Sequence, residues 1–175
     1  MTAIPTMHVL GLDVSLRSTG WAALSYEDGA LIDCGVITSK VTDAYAETLL
    51  DISTDVTAIA RRYPHADIAI EEGICYRSGT TTRRLAGAWA AAAIGAMTAI
   101  GAPVAEINVK TVKKLATGKG SALKAEVIKA AVDRWGGRAA QQDIADACWV
   151  AEAHRLWLHN HFDTEGDIAC APQPS

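Results

Sequence analysis

No Cys-x-x-Cys pair occurs in this chain: Cys34, Cys75, Cys148 and Cys170 lie far apart, and none joins a histidine cluster at zinc-ligand spacing. That excludes a zinc module and speaks for free thiols in a reducing compartment. The N-terminus shows no signal-peptide pattern, so the expected compartment is cytoplasmic. Excess positive charge is missing too, with a formal net charge of −4, which disfavours a protein that coats nucleic acid through bulk charge and leaves room for a local basic patch. Leu85 to Ala105 carries no charge and is long enough to span a bilayer. It is mostly alanine and glycine and ends in Gly101-Ala-Pro103, so a buried helix followed by a strand is expected, and no membrane contact. No Ser/His/Asp or Cys/His arrangement suits nucleophilic catalysis. His8 precedes a strand, His65 falls in a turn, and His154, His159 and His161 trail off a helix, all expected at the surface. Internal repeats and linkers are also absent.

What is present suits one domain. Of 175 residues 50% are apolar and 21% charged, which is globular composition in a chain too short for two well-packed lobes. A single domain is expected over 1–162 after a loose lead-in at 1–6. The remainder, 163–175, with Gly166, Pro172 and Pro174, is expected to be a disordered tail. The organising stretch is His8-Val-Leu-Gly-Leu-Asp13-Val-Ser-Leu-Arg-Ser-Thr-Gly20-Trp-Ala-Ala-Leu24, which reads as strand, tight turn, strand. Asp28-Gly29 signals a hairpin into a third strand over Ala30 to Ile37. Tyr45, Leu49, Ile52, Val56, Ile59 and Tyr63 then recur at helical spacing, closed by Pro64.

Asp67 to Glu71 reads as a fourth strand. A long helix follows from Thr80 to Met97, whose small residues permit close approach of another helix or another subunit. Val104 to Ile107 reads as a fifth strand. Asn108 is placed to cap a short helix to Leu115, Gly118-Lys-Gly120 breaks it, and Ser121 is placed to cap a helix over Ala122 to Trp135 that Gly136-Gly137 stops. A last helix spans about Gln141 to Leu158. The fold expected is α/β: a mixed five-stranded sheet, three antiparallel strands then two parallel ones, flanked by helices.

Four acids stand out. Asp13 and Glu71 end two apolar strands, and Asp143 and Asp146 share one face of the last, largely apolar helix. An unpaired buried carboxylate costs several kcal/mol, so Asp13 either takes a cation or caps its turn. Asp143 alone could simply favour a helix N-terminus. Taken together, the four suit oxygen-only ligation of Mg²⁺ or Mn²⁺, and two ions about 3.5–4 Å apart would support phosphodiester hydrolysis.

In order and spacing these residues resemble the RuvC Holliday-junction resolvases of the RNase H-like, retroviral-integrase-like superfamily, over most of the chain from His8 to about His159. Val9-Leu-Gly-Leu-Asp13-x-Ser-x-Arg-x-Thr-Gly20 is similar to the first motif and Ala69-Ile70-Glu71 to the second. Val112-Lys113 through Gly118-x-Gly120-Ser121-Ala122-x-Lys124 resembles the basic DNA-contacting segment, and Asp143-x-Ala-Asp146-Ala147 the last motif. The resemblance implies an RNase H-like sheet and a catalytic, metal-binding set of Asp13, Glu71, Asp143 and Asp146 holding two Mg²⁺, with Mn²⁺ able to substitute. Glu72 is a stand-in for Glu71 by position only. Lys113 and Lys124 are implied as DNA contacts, with Lys119 adding local charge; Arg77, Arg83 and Arg84 are further candidates for phosphate, and the last two equally a solvated helix start. Two departures matter. Val14-Ser15 stands where the family usually has Pro-Gly, and the base-stacking aromatic after the second acid is displaced to Tyr76, or Ile74 wedges instead.

The implied function is a cytoplasmic homodimeric crossover junction endodeoxyribonuclease, bacterial or phage-encoded, that nicks opposed strands of a four-way junction to leave 5′-phosphate and 3′-hydroxyl ends. Alternatives are a less selective nuclease acting on three-way junctions, forks and flaps, a non-catalytic DNA-binding module, and an actin-like ATPase, which this chain length does not accommodate.

Overall fold

The computed structural model describes residues 7–39, 44–72 and 79–162. Tyr76, Arg77 and Ile74, the lead-in at 1–6 and the tail at 163–175 lie outside them. The chain runs through β1 (His8–Val14), β2 (Ser18–Ser25), β3 (Leu31–Thr38), α1 (Tyr45–Ala60), β4 (Ala66–Glu71), α2 (Gly79–Ile100), β5 (Ala105–Ile107), α3 (Val109–Thr117), α4 (Lys124–Trp135) and α5 (Gln142–Phe162). The strands form one sheet in the order β3-β2-β1-β4-β5. Pairs β1/β2 and β2/β3 are antiparallel, while β1/β4 and β4/β5 are parallel, as the change from hairpins to helical crossovers requires. This is the expected RNase H-like arrangement.

Strand alternation divides the core between two faces. Leu10, Leu12, Trp21, Ala23, Ile68 and Ile70 pack on the α1/α2 side with Ile52, Val56, Ala88 and Ala92. Val9, Gly11 and Asp13 point the other way, toward α5. Ala22 and Ala69 meet Ala147, Cys148 and Val150 of α5 there, and Val127 of α4 and Val112 of α3 close that layer. Helix α5 lies almost on the backbone of the sheet. A Cβ added to Gly11 would stand 2.2 Å from the Ala147 carbonyl oxygen, and one on Gly20 1.9 Å from that of Asp143.

The small residues of α2 serve packing within the chain: a Cβ on Gly95 would stand 2.3 Å from the Ser53 carbonyl oxygen, and Thr57 Oγ1 donates to the Gly95 carbonyl at 3.0 Å. The outer stripe of the same helix, Ala86, Ala90, Ile94 and Met97, is exposed. Among the described residues no helix is long and apolar enough to cross a membrane, and Cys34 and Cys148 are free thiols.

Several local expectations are corrected. Helix α4 begins at Lys124 and not Ala122, and Ser121 is not its cap. Glu126 reaches back to accept the Leu123 N–H at 2.7 Å, while the Ala122 N–H turns to the Lys119 carbonyl. Helix α1 stops at Ala60, three residues before Tyr63, because the bonds tighten there: Arg62 N–H donates to Ile59 and Tyr63 N–H to Ala60. His154 is buried rather than at the surface. It stacks beside Trp157 where α5 packs against β5, and burial lowers its pKa. Asn108 does cap α3, accepting the Lys110 N–H, and Gly118 ends that helix at φ 78°.

Candidate active site

Three elements bring the carboxylates together. Asp13 follows Leu12 at the end of β1, and Leu12 pairs with Ile70 in β4, so the parallel register carries Asp13 and Glu71 out side by side at the C-terminal edge. Both stand two positions beyond a residue facing α5, Gly11 and Ala69, and therefore share that face. Across β1/β2, Asp13 pairs with Gly20, and the Gly20 backbone is where the first turn of α5 rests at Asp143. Asp146 lies one turn further along.

The result is a cleft of about 180 Å³ lined by Asp13, Glu71, Asp146, Gln142, Lys113 and Lys124, with Val109, Val112 and Val127 as its apolar wall. That space suits ions and a phosphate and is below the roughly 300 Å³ at which small-molecule pockets begin. Asp143 does not line it: its Oδ2 accepts the Ser18 hydroxyl. It still faces both aspartates closely enough to raise their pKa values. Among the described residues no three His, Cys, Asp or Glu side chains stand preassembled to hold a metal ion, as expected of like charges that keep apart.

Electrostatics set this site apart from the rest of the surface. Burial, then the charges of Asp146 and Asp143, push Asp13 up to about 7, against the pull of Lys124. Burial, then Asp13, Asp146 and Glu72, push Glu71 up to about 8, opposed by Lys113. Asp146 is raised by burial, while Lys124, Lys113 and a hydrogen bond from Gln142 hold it down against Asp143. Carboxyls raised by burial and by specific charged neighbours in one cleft make it the candidate functional site.

The other candidates separate. Lys113 and Lys124 reach the cleft from α3 and α4. Lys119 is exposed in the turn between those helices and lies outside the cleft lining. Glu72 is turned away, its Oε2 accepting Asn108 Nδ2 at 2.8 Å. Arg83 and Arg84 are exposed at the start of α2. The Arg84 guanidinium lies over the Tyr45 ring at 5.6 Å, and its carbonyl accepts the Tyr45 hydroxyl, which ties it to α1. Gln142 and Ser18 were not singled out from sequence. A glutamine one residue before the acidic pair was the available signal for the first; the second has no local one.

The profile of the family described as Crossover junction endodeoxyribonuclease RuvC matches residues 9–154. The chain belongs to the RuvC family. A curated RuvC from Caulobacter vibrioides is 36% identical, aligned over 86% of this chain and 90% of its own length. The RuvC of Maricaulis maris is 32% identical, over 85% and 90%. Among solved structures, Thermus thermophilus RuvC superposes with a TM-score of 0.75 at 24% identity, over 89% of this chain and 97% of its own. The same protein in complex with Holliday junction substrate gives 0.77, over 89% and 96%. Both show the same fold.

Proposed function

We propose that this protein is a structure-selective endodeoxyribonuclease that resolves Holliday junctions by metal-dependent phosphodiester hydrolysis, giving symmetric nicks with 5′-phosphate and 3′-hydroxyl ends. The observation that carries the reading is the meeting of Asp13, Glu71 and Asp146 at the sheet edge, flanked by Lys113 and Lys124, in a cleft the size of a phosphate with its ions. RuvC relatives bear the name crossover junction endodeoxyribonuclease over the same span.

The donor set fits a hard divalent cation. Its carboxylates are oxygen-only donors, and burial with mutual repulsion raises Asp13 and Glu71 despite Lys124 and Lys113, a penalty on the charged forms that a cation between them would relieve. Asp13, Glu71, Asp143 and Asp146 would hold two Mg²⁺, or Mn²⁺ in their place. The ions would supply an activated water and neutralise charge at the leaving oxygen. Gln142 holds the Asp146 carboxylate, the valine wall limits competing water, and Lys113 and Lys124 draw a phosphate between strand ends and helices.

A homodimer matches two symmetric nicks, and the exposed Ala86, Ala90, Ile94 and Met97 stripe of α2 is the face available for a twofold contact. Free thiols at Cys34 and Cys148 accord with action in the cytosol. The experiment is nicking of a synthetic four-way junction in Mg²⁺, beside three-way and flap substrates, by the wild type and Asp146→Asn. Junction cleavage lost in the variant supports the reading. Equal cleavage of all substrates makes the enzyme a general branched-DNA nuclease, and cleavage by Asp146→Asn removes the mechanism.

A further inference from the structure

We propose that Ser18 is a positioning residue for Asp143, fixing the orientation of the one acid of the four that does not line the cleft. This rests on the metal-dependent nuclease reading above. Ser18 opens β2 two positions before Gly20, and so faces α5 on the same side of the sheet. Its hydroxyl donates to Asp143 Oδ2 across 125 residues of sequence. The Asp143 backbone meanwhile sits on Gly20, where no side chain fits between strand and helix. Asp143 is therefore held at its backbone by Gly20 and at one carboxylate oxygen by Ser18, and the other oxygen keeps its acceptor capacity for a cation.

Ser18 is itself held. Ser15 Oγ donates to the Ser18 carbonyl at 2.6 Å and accepts the Ser18 N–H at 3.1 Å, while the Ser15 N–H donates to the same carbonyl at 3.2 Å. This clasp closes the turn between Asp13 and β2. One short segment thus carries Asp13 at its start and steers Asp143 at its end. Asp143 is half-buried, so without a donor its carboxylate is free to turn toward water.

The test uses the full chain, titrated with Mn²⁺ and followed by the resonance of the free ion, alongside the Mg²⁺ dependence of junction nicking. Ser18→Ala should weaken Mn²⁺ binding roughly tenfold and raise the Mg²⁺ needed for half-maximal nicking by the same factor. Ser18→Thr, which keeps the hydroxyl, should behave as wild type. In an Asp143→Asn background, adding Ser18→Ala should change nothing further, because the hydroxyl acts through that carboxylate. Unfolding without divalent ions checks that Ser18→Ala folds; should it not, Ser18→Cys carries the same measurement. Wild-type Mn²⁺ affinity in a folded Ser18→Ala, or an additive loss in the double variant, overturns the proposal. Retained nicking by Asp146→Asn would instead overturn the nuclease reading, so the two failures are distinct.

Discussion

Gly20 and Asp143 touch through their backbones, and this contact seats the acidic end of α5 on the sheet. Gly20→Ala should therefore cost at least about 1–3 kcal/mol, since the neighbour is main chain that cannot step aside, and should displace Asp143 from Asp13. Gly137→Ala, where an added Cβ meets nothing within 4 Å, is the control and should be near neutral. Urea unfolding of both variants checks this.

Removing charge from single acids separates chemistry from binding. Asp13→Asn, Glu71→Gln and Asp146→Asn should each abolish nicking while junction affinity stays nearly intact, and Asp143→Asn should impair nicking. Cleavage and gel-shift assays on one junction substrate give both numbers.

The raised carboxyl pKa values make a stability prediction with a definite sign. Asp13 and Glu71 titrate near 4 in the unfolded chain and at about 7 and about 8 in the folded one, so between those limits the folded state binds more protons. Their contribution to the stability of the metal-free protein therefore falls as pH rises from about 4 to about 8. Glu71→Gln should raise the melting temperature of metal-free protein at pH 8 relative to wild type and have little effect near pH 4. Calorimetry at the two pH values decides it.

Arg155 grips both oxygens of Glu152 through Nε at 2.7 Å and Nη2 at 2.9 Å, and Arg134 adds a bond at 2.6 Å. Glu152 is 2% exposed. Glu152→Ala should cost about 3–5 kcal/mol by leaving a buried arginine without its partner. Breaking the exposed Lys129–Asp133 pair with Lys129→Ala should cost no more than about 0.5 kcal/mol. Denaturant midpoints compare them.

Lys113→Ala and Lys124→Ala should weaken junction affinity across sequences and each lower the slope of log affinity against log salt by about 1. Filter binding between low and moderate salt measures the slope.

The sequence displays what depends on neighbours along the chain. Apolar runs ending in Asp13 and Glu71 announce two strands, Asp28-Gly29 announces the hairpin, and Asn108 and Gly118 bracket α3 as their local chemistry requires. Asp143 and Asp146 share a helical face by spacing alone. Errors arise where a distant or competing partner decides. Glu126 captures the Leu123 N–H and shifts the start of α4 away from Ser121, and β5 with Trp157 shelters a histidine that its trailing position suggested was wet. Ser18 meets Asp143 only when α5 lies on β2, so no pattern in its own segment discloses it, whereas Gln142 bonds Asp146 one turn away on the same helix and was open to a local reading. That Asp13, Glu71 and Asp146 would gather was legible from strand ends and helix spacing; that Asp143 leans on a serine, outside the cleft lining, was not.

Asn108 does two jobs with one side chain: Oδ1 takes the Lys110 N–H at 2.8 Å, and Nδ2 reaches Glu72. Strand β4 and helix α3 are thereby riveted at their junction. The helix that carries Lys113 and the strand that ends in Glu71 are thus held to one spacing by a single amide, which touches neither of those two side chains.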